Sequence, residues 1–140
     1  MNGLLLDTNV VFALRAPRRQ PAAVQRWLET LDANRCWVAS LTWMEIQVGI
    51  AKKRITDPGQ AEILDTWFHA IHEQFQHHTL PFDDDAATVA APLWLLRSRG
   101  TVDTLIAATA LANNLDLATR NTTDFADLPD LAVLNPWADN

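Results

Sequence analysis

The sequence predicts an α/β fold: one parallel sheet covered by helices on both faces. Short apolar runs alternate with longer amphipathic or apolar stretches along all 140 residues. That alternation is the pattern of successive βαβ units. The composition, 49% hydrophobic and 20% charged, is that of a chain able to bury a core. No repeat, low-complexity tract or linker interrupts it, so residues 1–140 are read as one domain.

The elements follow in order. Leu4-Leu5-Leu6, between Gly3 and Asp7, reads as a buried strand. Val10 to Leu14 forms a short element stopped by Pro17. Pro21 opens a helix with Val24, Trp27, Leu28 and Leu31 at spacings of three and four. Residues 36–39 are a second strand candidate, and residues 42–53 a second amphipathic helix. Asp57-Pro58-Gly59 is a turn, with Pro58 suited to the first turn of a third helix carrying Ile63, Leu64, Trp67, Phe68, Ile71 and Phe75. Residues 79–82 form a weak strand. Residues 83–99 form a helix with acids at its start, basic residues at its end and Gly100 as its stop. Residues 102–114 are apolar on almost every face, which marks a central buried helix. Residues 115–118 and 131–134 supply the last strands, so the sheet has four to five.

The bulk properties exclude several functions. A net charge of −6 and a pI near 5.0 argue against holding nucleic acid by overall charge. They leave room for a local basic rim. A single cysteine, Cys36, forms no intrachain disulfide, so a reducing, cytoplasmic setting is expected. Cys36 sits in an apolar run and reads as core. No apolar stretch is long enough to span a membrane, and the N-terminal residues lack the basic start of a signal peptide.

In an open parallel sheet, ligands bind beyond the carboxyl ends of the strands. Asp7 follows the first strand there. Glu45 comes shortly after the second, and Asp124 shortly after the 115–118 strand. Asp103 opens the apolar helix. Each has an ordinary structural explanation. Asp7 can cap the element after it. Thr42 and Glu45 fit a capping box, and Asn121 to Asp124 a looser one. Thr101 can cap the buried helix, leaving Asp103 where the helix dipole favours an acid. Yet the topology brings all four to one end of one sheet. Gathered carboxylates repel one another and resist ionisation. A divalent cation removes that repulsion. Oxygen donors without a supporting Cys or His pattern favour Mg²⁺ or Mn²⁺ over Zn²⁺. His69, His72, His77 and His78 have no such support and read as surface residues.

Five segments carry a resemblance: residues 5–10, 41–46, 102–110, 118–125 and 134–137. In order and spacing they resemble PIN-domain proteins of the VapC/FitB type, the toxin half of bacterial toxin–antitoxin pairs. The resemblance implies a PIN-like three-layer sandwich and a Mg²⁺- or Mn²⁺-dependent endoribonuclease. It further implies an antitoxin that fills the acidic groove, and a homodimer. By motif position Asp7, Glu45 and Asp103 match the family's acidic core. Some members carry Asp where this chain has Asn121 and others an acid where it has Asp124, so the fourth role is assigned to Asp124, with Asn121 as a nearby polar group. Asp7 and Asp103 are the expected main metal contacts. Glu45 and Asp124 are expected to be outer ligands or to orient water. Thr8, Asn9 and Asn121 are expected to steady the acids by hydrogen bonding.

RNA must be held against a net negative surface. Arg120, Lys52 and Arg15 are the leading candidates among the basic residues, most of which are ordinary solvated charges. Trp27 and Trp67 read as packing residues; Trp43 and Trp94 as possible interface residues. Three rivals stand beside the nuclease: a phosphoacceptor signalling domain, a PIN-like module that binds without cutting, and a DNA-directed nuclease. The first wants paired acids after the opening strand and a later lysine. This chain offers Asp7-Thr8-Asn9 and Thr119-Arg120-Asn121 instead.

Overall fold

Residues 3–96 and 101–138 are described in a computed structural model of the chain. Five strands, β1 (Leu4–Leu6), β2 (Cys36–Ala39), β3 (Thr79–Leu80), β4 (Asp116–Ala118) and β5 (Val133–Leu134), form one sheet. All pairings are parallel and the spatial order is β3-β2-β1-β4-β5. The helices are α1 (Thr8–Arg15), α2 (Ala22–Glu29), α3 (Ser40–Thr56), α4 (Pro58–Gln74), α5 (Asp84–Leu96) and α6 (Val102–Ala112). The expected basic end of α5, Arg97 and Arg99, and its stop at Gly100 lie outside the described residues.

Strand alternation builds two cores. Successive side chains point to opposite faces of a sheet. On one face Leu6, Cys36, Val38 and Ala118 meet Val10 and Val11 of α1, Trp43 and Ile46 of α3, and Phe68 and Ile71 of α4. On the other, Leu5, Ala39 and Leu117 meet Ala90 and Leu93 of α5 and Ile106 to Ala108 of α6. The small residues of α6 let it lie close to the sheet, and Ala107, Ala108 and Ala110 are fully buried. The hydroxyl of buried Thr109 donates back to the Leu105 carbonyl at 2.8 Å, so no polar group is stranded there. Sheet and two helical layers make the expected three-layer sandwich.

Local signals explain the joints. Pro58 stands in the first turn of α4, and the Asp57 carboxylate accepts the Gln60 N–H at 3.1 Å. Trp43 is buried at 3% exposure and packs edge-on against Phe68, so it is a core residue and not an interface residue. Trp94 remains exposed. His78 is likewise no simple surface residue. It stacks on Trp37 and its Nδ1 lies 3.0 Å from the Cys36 carbonyl. Burial pushes the Cys36 thiol up, with Asp32 adding to the effect, which keeps it an inert core group.

The strand order reverses between β1 and β4. At such a switch point the connections leave to opposite faces, opening a crevice beyond the carboxyl ends. The residues after β1 and β4 line it.

Candidate active site

Parallel register sets the site. Leu6 pairs with Ala118, so Asp7 and Thr119 follow side by side. The Asp7 N–H donates to the Ala118 carbonyl at 2.9 Å, which extends the ladder one residue past the strands. The Asp7 side chain is buried at 3% exposure. Its Oδ1 accepts the Thr8 N–H at 2.9 Å. Its Oδ2 accepts the Thr119 hydroxyl at 2.7 Å and the Asn9 amide at 3.4 Å. Burial pushes the Asp7 carboxyl above the ordinary range. The bonds from Thr119, Thr8 and Asn9 oppose that rise, and the charge of Asp124 adds to it.

Glu45 reaches the same place from α3. That helix begins at Ser40 with Ala39 as its cap residue, two residues before the expected start. Glu45 therefore falls in the second turn and forms no capping box with Thr42. The Thr42 hydroxyl oxygen is buried without a hydrogen-bond partner. Glu45 Oε1 accepts the Thr8 hydroxyl at 2.8 Å instead. Its carboxyl too is pushed up, first by burial and then by Asp7 and Asp103, against the Thr8 bond. Three carboxylates thus act on one another, as like charges sharing a site do.

Asp7, Thr8, Asn9, Phe12, Glu45, Asp103 and Asn121 line one open cleft of about 330 Å³. Asp103 enters it from the second position of α6. Neither Thr101 nor Asn121 makes the side-chain capping bond expected of it. Asp124 is exposed in the turn Thr122–Phe125, whose Phe125 is buried. It does not line the cleft, but its charge bears on Asp7. Asn121 takes the wall position. Among the described residues, no three His, Cys, Asp or Glu side chains gather tightly enough to enclose a metal ion by themselves.

The basic candidates divide. Arg120 precedes Asn121, and its N–H donates to Asn9 Oδ1 at 2.9 Å. Lys52 is exposed on α3, seven residues past Glu45 and so about 10 Å along the same helix face. Arg15 borders a roomier hollow of about 400 Å³ between α1, α2 and α4, walled by Leu14, Leu28, Trp67, Ile71 and Phe75. That hollow has no acid in its lining, whereas the smaller cleft has three, Asp7, Glu45 and Asp103. Two residues of the site went unnoticed in the sequence. Thr119 is fully buried and is the hydroxyl that joins Asp7, Asn9 and Asn121. Its signal was its place, one residue past an apolar strand and level with Asp7. Phe12 left none, since its exposure at the cleft depends on where α1 points.

Comparison with known proteins now bears on this geometry. The model of the PIN domain family matches residues 4–131. The chain belongs to the PIN-domain family. It is 32% identical to "Toxin FitB" of Neisseria gonorrhoeae over 97% of this chain and 99% of that one. It is 45% identical to "Ribonuclease VapC14" of Mycobacterium tuberculosis over 64 residues, which is 46% of this chain and 61% of that protein. A solved "Toxin-antitoxin complex from Klebsiella pneumoniae" superposes with a TM-score of 0.71 at 26% identity, over 98% of this chain and all of that one. This PIN domain thus has the expected sheet, now with five strands counted.

Proposed function

We propose that this PIN-domain chain is an endoribonuclease, the toxin of a type II toxin–antitoxin pair, acting in the cytoplasm with Mg²⁺ or Mn²⁺. The observation that carries the reading is the buried Asp7 carboxylate, hydrogen-bonded on both oxygens, in a cleft it shares with Glu45 and Asp103. Burial and mutual repulsion oppose ionisation of Asp7 and Glu45, and a bound cation would offset that cost. The donor set is all oxygen, which suits a hard divalent ion. Mg²⁺ keeps several waters and takes one or two carboxylates together with substrate phosphate oxygens, so three enclosing side chains are not required. Asp7 and Asp103 are the residues assigned to hold it. When bound, such an ion stabilises charge on the phosphoryl oxygens and acidifies a water.

The chain's own groups do the rest. Thr8 and Thr119 aim the carboxylates of Glu45 and Asp7 by direct hydrogen bonds. Glu45, its proton affinity raised, orients the attacking water and accepts hydrogen bonds from it. Asp124 strengthens the local negative field from outside the wall. Residues 1–140 act as a single unit, and RNA phosphates find their positive partners on the rim. The protein partners are an antitoxin, as in the complex to which this chain is similar, and a second copy of the chain. Exposed Met44, Val48, Trp94 and Leu95 offer apolar surface for association. Among the described residues no helix is long and apolar enough to cross a membrane.

Asn121 at the wall supports a second reading, a PIN domain that binds but does not cut. One experiment separates the two. Purified chain and Asp7→Asn are incubated with cellular RNA in Mg²⁺, Mn²⁺ or EDTA. Discrete metal-dependent cuts, lost in the variant, are expected. Folded chain that binds metal and leaves all RNA intact supports the binding module instead.

A further inference from the structure

We infer that Arg120 is a backbone-phosphate anchor for single-stranded RNA beside the acidic cleft, and that Trp137 is the residue that positions it. The inference rests on the nuclease reading above and adds to it the C-terminal segment, which that reading leaves idle. The Arg120 guanidinium carbon lies 5.4 Å from the centre of the Trp137 ring. Seated over a ring, a guanidinium keeps its in-plane N–H donors for a second partner. Among the described residues Arg120 enters no ion pair, so that edge is unspent.

The ring itself is held. The Trp137 indole N–H donates to Gln20 Oε1 at 3.3 Å, and its backbone N–H donates to Asn135 Oδ1 at 2.9 Å. The Asn135 amide donates to the Arg120 carbonyl at 3.5 Å. The Arg120 N–H donates to Asn9 Oδ1 at 2.9 Å, and the Asn9 amide donates to Asp7. A path of hydrogen bonds thus runs from the central carboxylate to the backbone of Trp137. It ties the arginine's backbone to the cleft and its head to the tail of the chain. An anionic strand approaching three acids on a protein of net charge −6 needs a fixed cation nearby. A long, free arginine loses rotamer freedom on binding; one already laid on a ring loses less.

The test uses a labelled, mixed-sequence, single-stranded RNA with the Asp7→Asn chain, which does not consume it. Binding is followed by anisotropy from about 50 to 200 mM KCl. Arg120→Ala is expected to bind about tenfold more weakly, with the salt slope shallower by about 0.7, the value of one single-strand phosphate contact. Trp137→Leu is expected to fall in the same direction. The double variant is expected to be no weaker than the weaker single one, because the tryptophan acts through the arginine. Trp137→Phe, with a smaller face, is expected to fall between wild type and Trp137→Leu. In the cutting chain, Arg120→Ala is expected to raise KM and leave kcat nearly unchanged. Unchanged affinity and slope in Arg120→Ala overturn the inference, as do losses that simply add in the double variant. Trp137 also packs against the core. If Trp137→Leu does not fold, Trp137→Phe that binds like wild type overturns the positioning role. A chain whose wild type cuts no RNA removes the nuclease reading itself; one that cuts while Arg120→Ala binds and cuts normally removes only this anchor.

Discussion

Thr119→Val tests whether the site is held by the one hydroxyl that joins its parts. Valine matches threonine in shape, so packing at this fully buried position is kept. Three hydrogen bonds go with the hydroxyl. It donates to Asp7 Oδ2 at 2.7 Å and accepts from the Asn9 amide at 3.2 Å and the Asn121 N–H at 3.0 Å. The bond to the buried carboxylate is charge-assisted and worth about 2 kcal/mol. The Asn9 and Asn121 donors border the open cleft and recover water, so together they add less than about 1 kcal/mol. The expected loss is about 2–3 kcal/mol, or about 8–12 °C in Tm for a chain of this size. Thermal unfolding in EDTA near neutral pH measures it, with Thr119→Ser as the control that keeps the hydroxyl.

A second readout follows from the same bond. The Thr119 hydroxyl holds the Asp7 carboxyl down against the rise that burial imposes. Losing it raises the proton affinity of Asp7 further. On the proposed reading Asp7 takes the cation only when ionised, so the acid limb of any metal-dependent cleavage is expected to shift to higher pH. A Tm change under about 2 °C, or an acid limb that stays put, would refute the account of Thr119 as the hub of the site.

Other outcomes follow from the same structure. Asp7 and Glu45 both bind protons more tightly in the folded chain than an ordinary carboxylate does, chiefly through burial. The stability they contribute is therefore full below the ordinary carboxylate range and is lost as pH rises through the raised values. In EDTA the pH dependence of Tm through that window should be smaller in Asp7→Asn than in wild type, and a dependence unchanged by the substitution would contradict it. Glu45→Gln removes a charge that Asp7 and Asp103 oppose; the Tm in EDTA should hold or rise while the increase on adding Mg²⁺ shrinks, measured by paired melts. Gly3→Ala places a methyl about 3.0 Å from the Arg35 carbonyl oxygen and 2.9 Å from Leu115 Cδ2 at the entry to β1. It should cost about 1–3 kcal/mol in urea unfolding, and a neutral result would mean that the segments of Arg35 and Leu115 beside Gly3 yield without cost.

Much of this was legible because the signals were local and repeated. Leu4 to Leu6 and residues 36–39 are short apolar runs bounded by polar residues, and strands buried on both faces must read that way. The almost unbroken apolar face of residues 102–112 left a central helix as the one place it fits. What stayed hidden depends on tertiary placement. Helix α3 starts at Ser40 because the chain turns directly out of β2, and no residue in the first turn announces it by capping. The burial of Trp43 and the stacking of His78 on Trp37 require knowing which face of α3 meets α4 and which strand lies at the sheet edge. Asp124 and Asn121 sit three residues apart, and only the path of the turn shows that the amide and not the acid reaches the wall.

For Asp7 the ordinary explanation does not exclude the proposed functional one. Its Oδ1 accepts the Thr8 N–H at the start of α1, so it is the cap the sequence allowed. The other oxygen, bound by Thr119 and Asn9, belongs to the cleft. The two roles support each other physically. A helix N-terminus carries partial positive charge, which offsets part of the cost of an ionised carboxylate in a buried place. Glu45 and Asp103 show the same economy less completely: Glu45 is held by a hydroxyl from α1's first turn, and Asp103 stands in the first turn of α6. A parallel sheet with helices on both faces turns several helix starts toward one end, so residues in the first two turns of those helices are also placed where they could share a cation. That is why each acid taken singly looked like a cap, and why only their convergence spoke for chemistry.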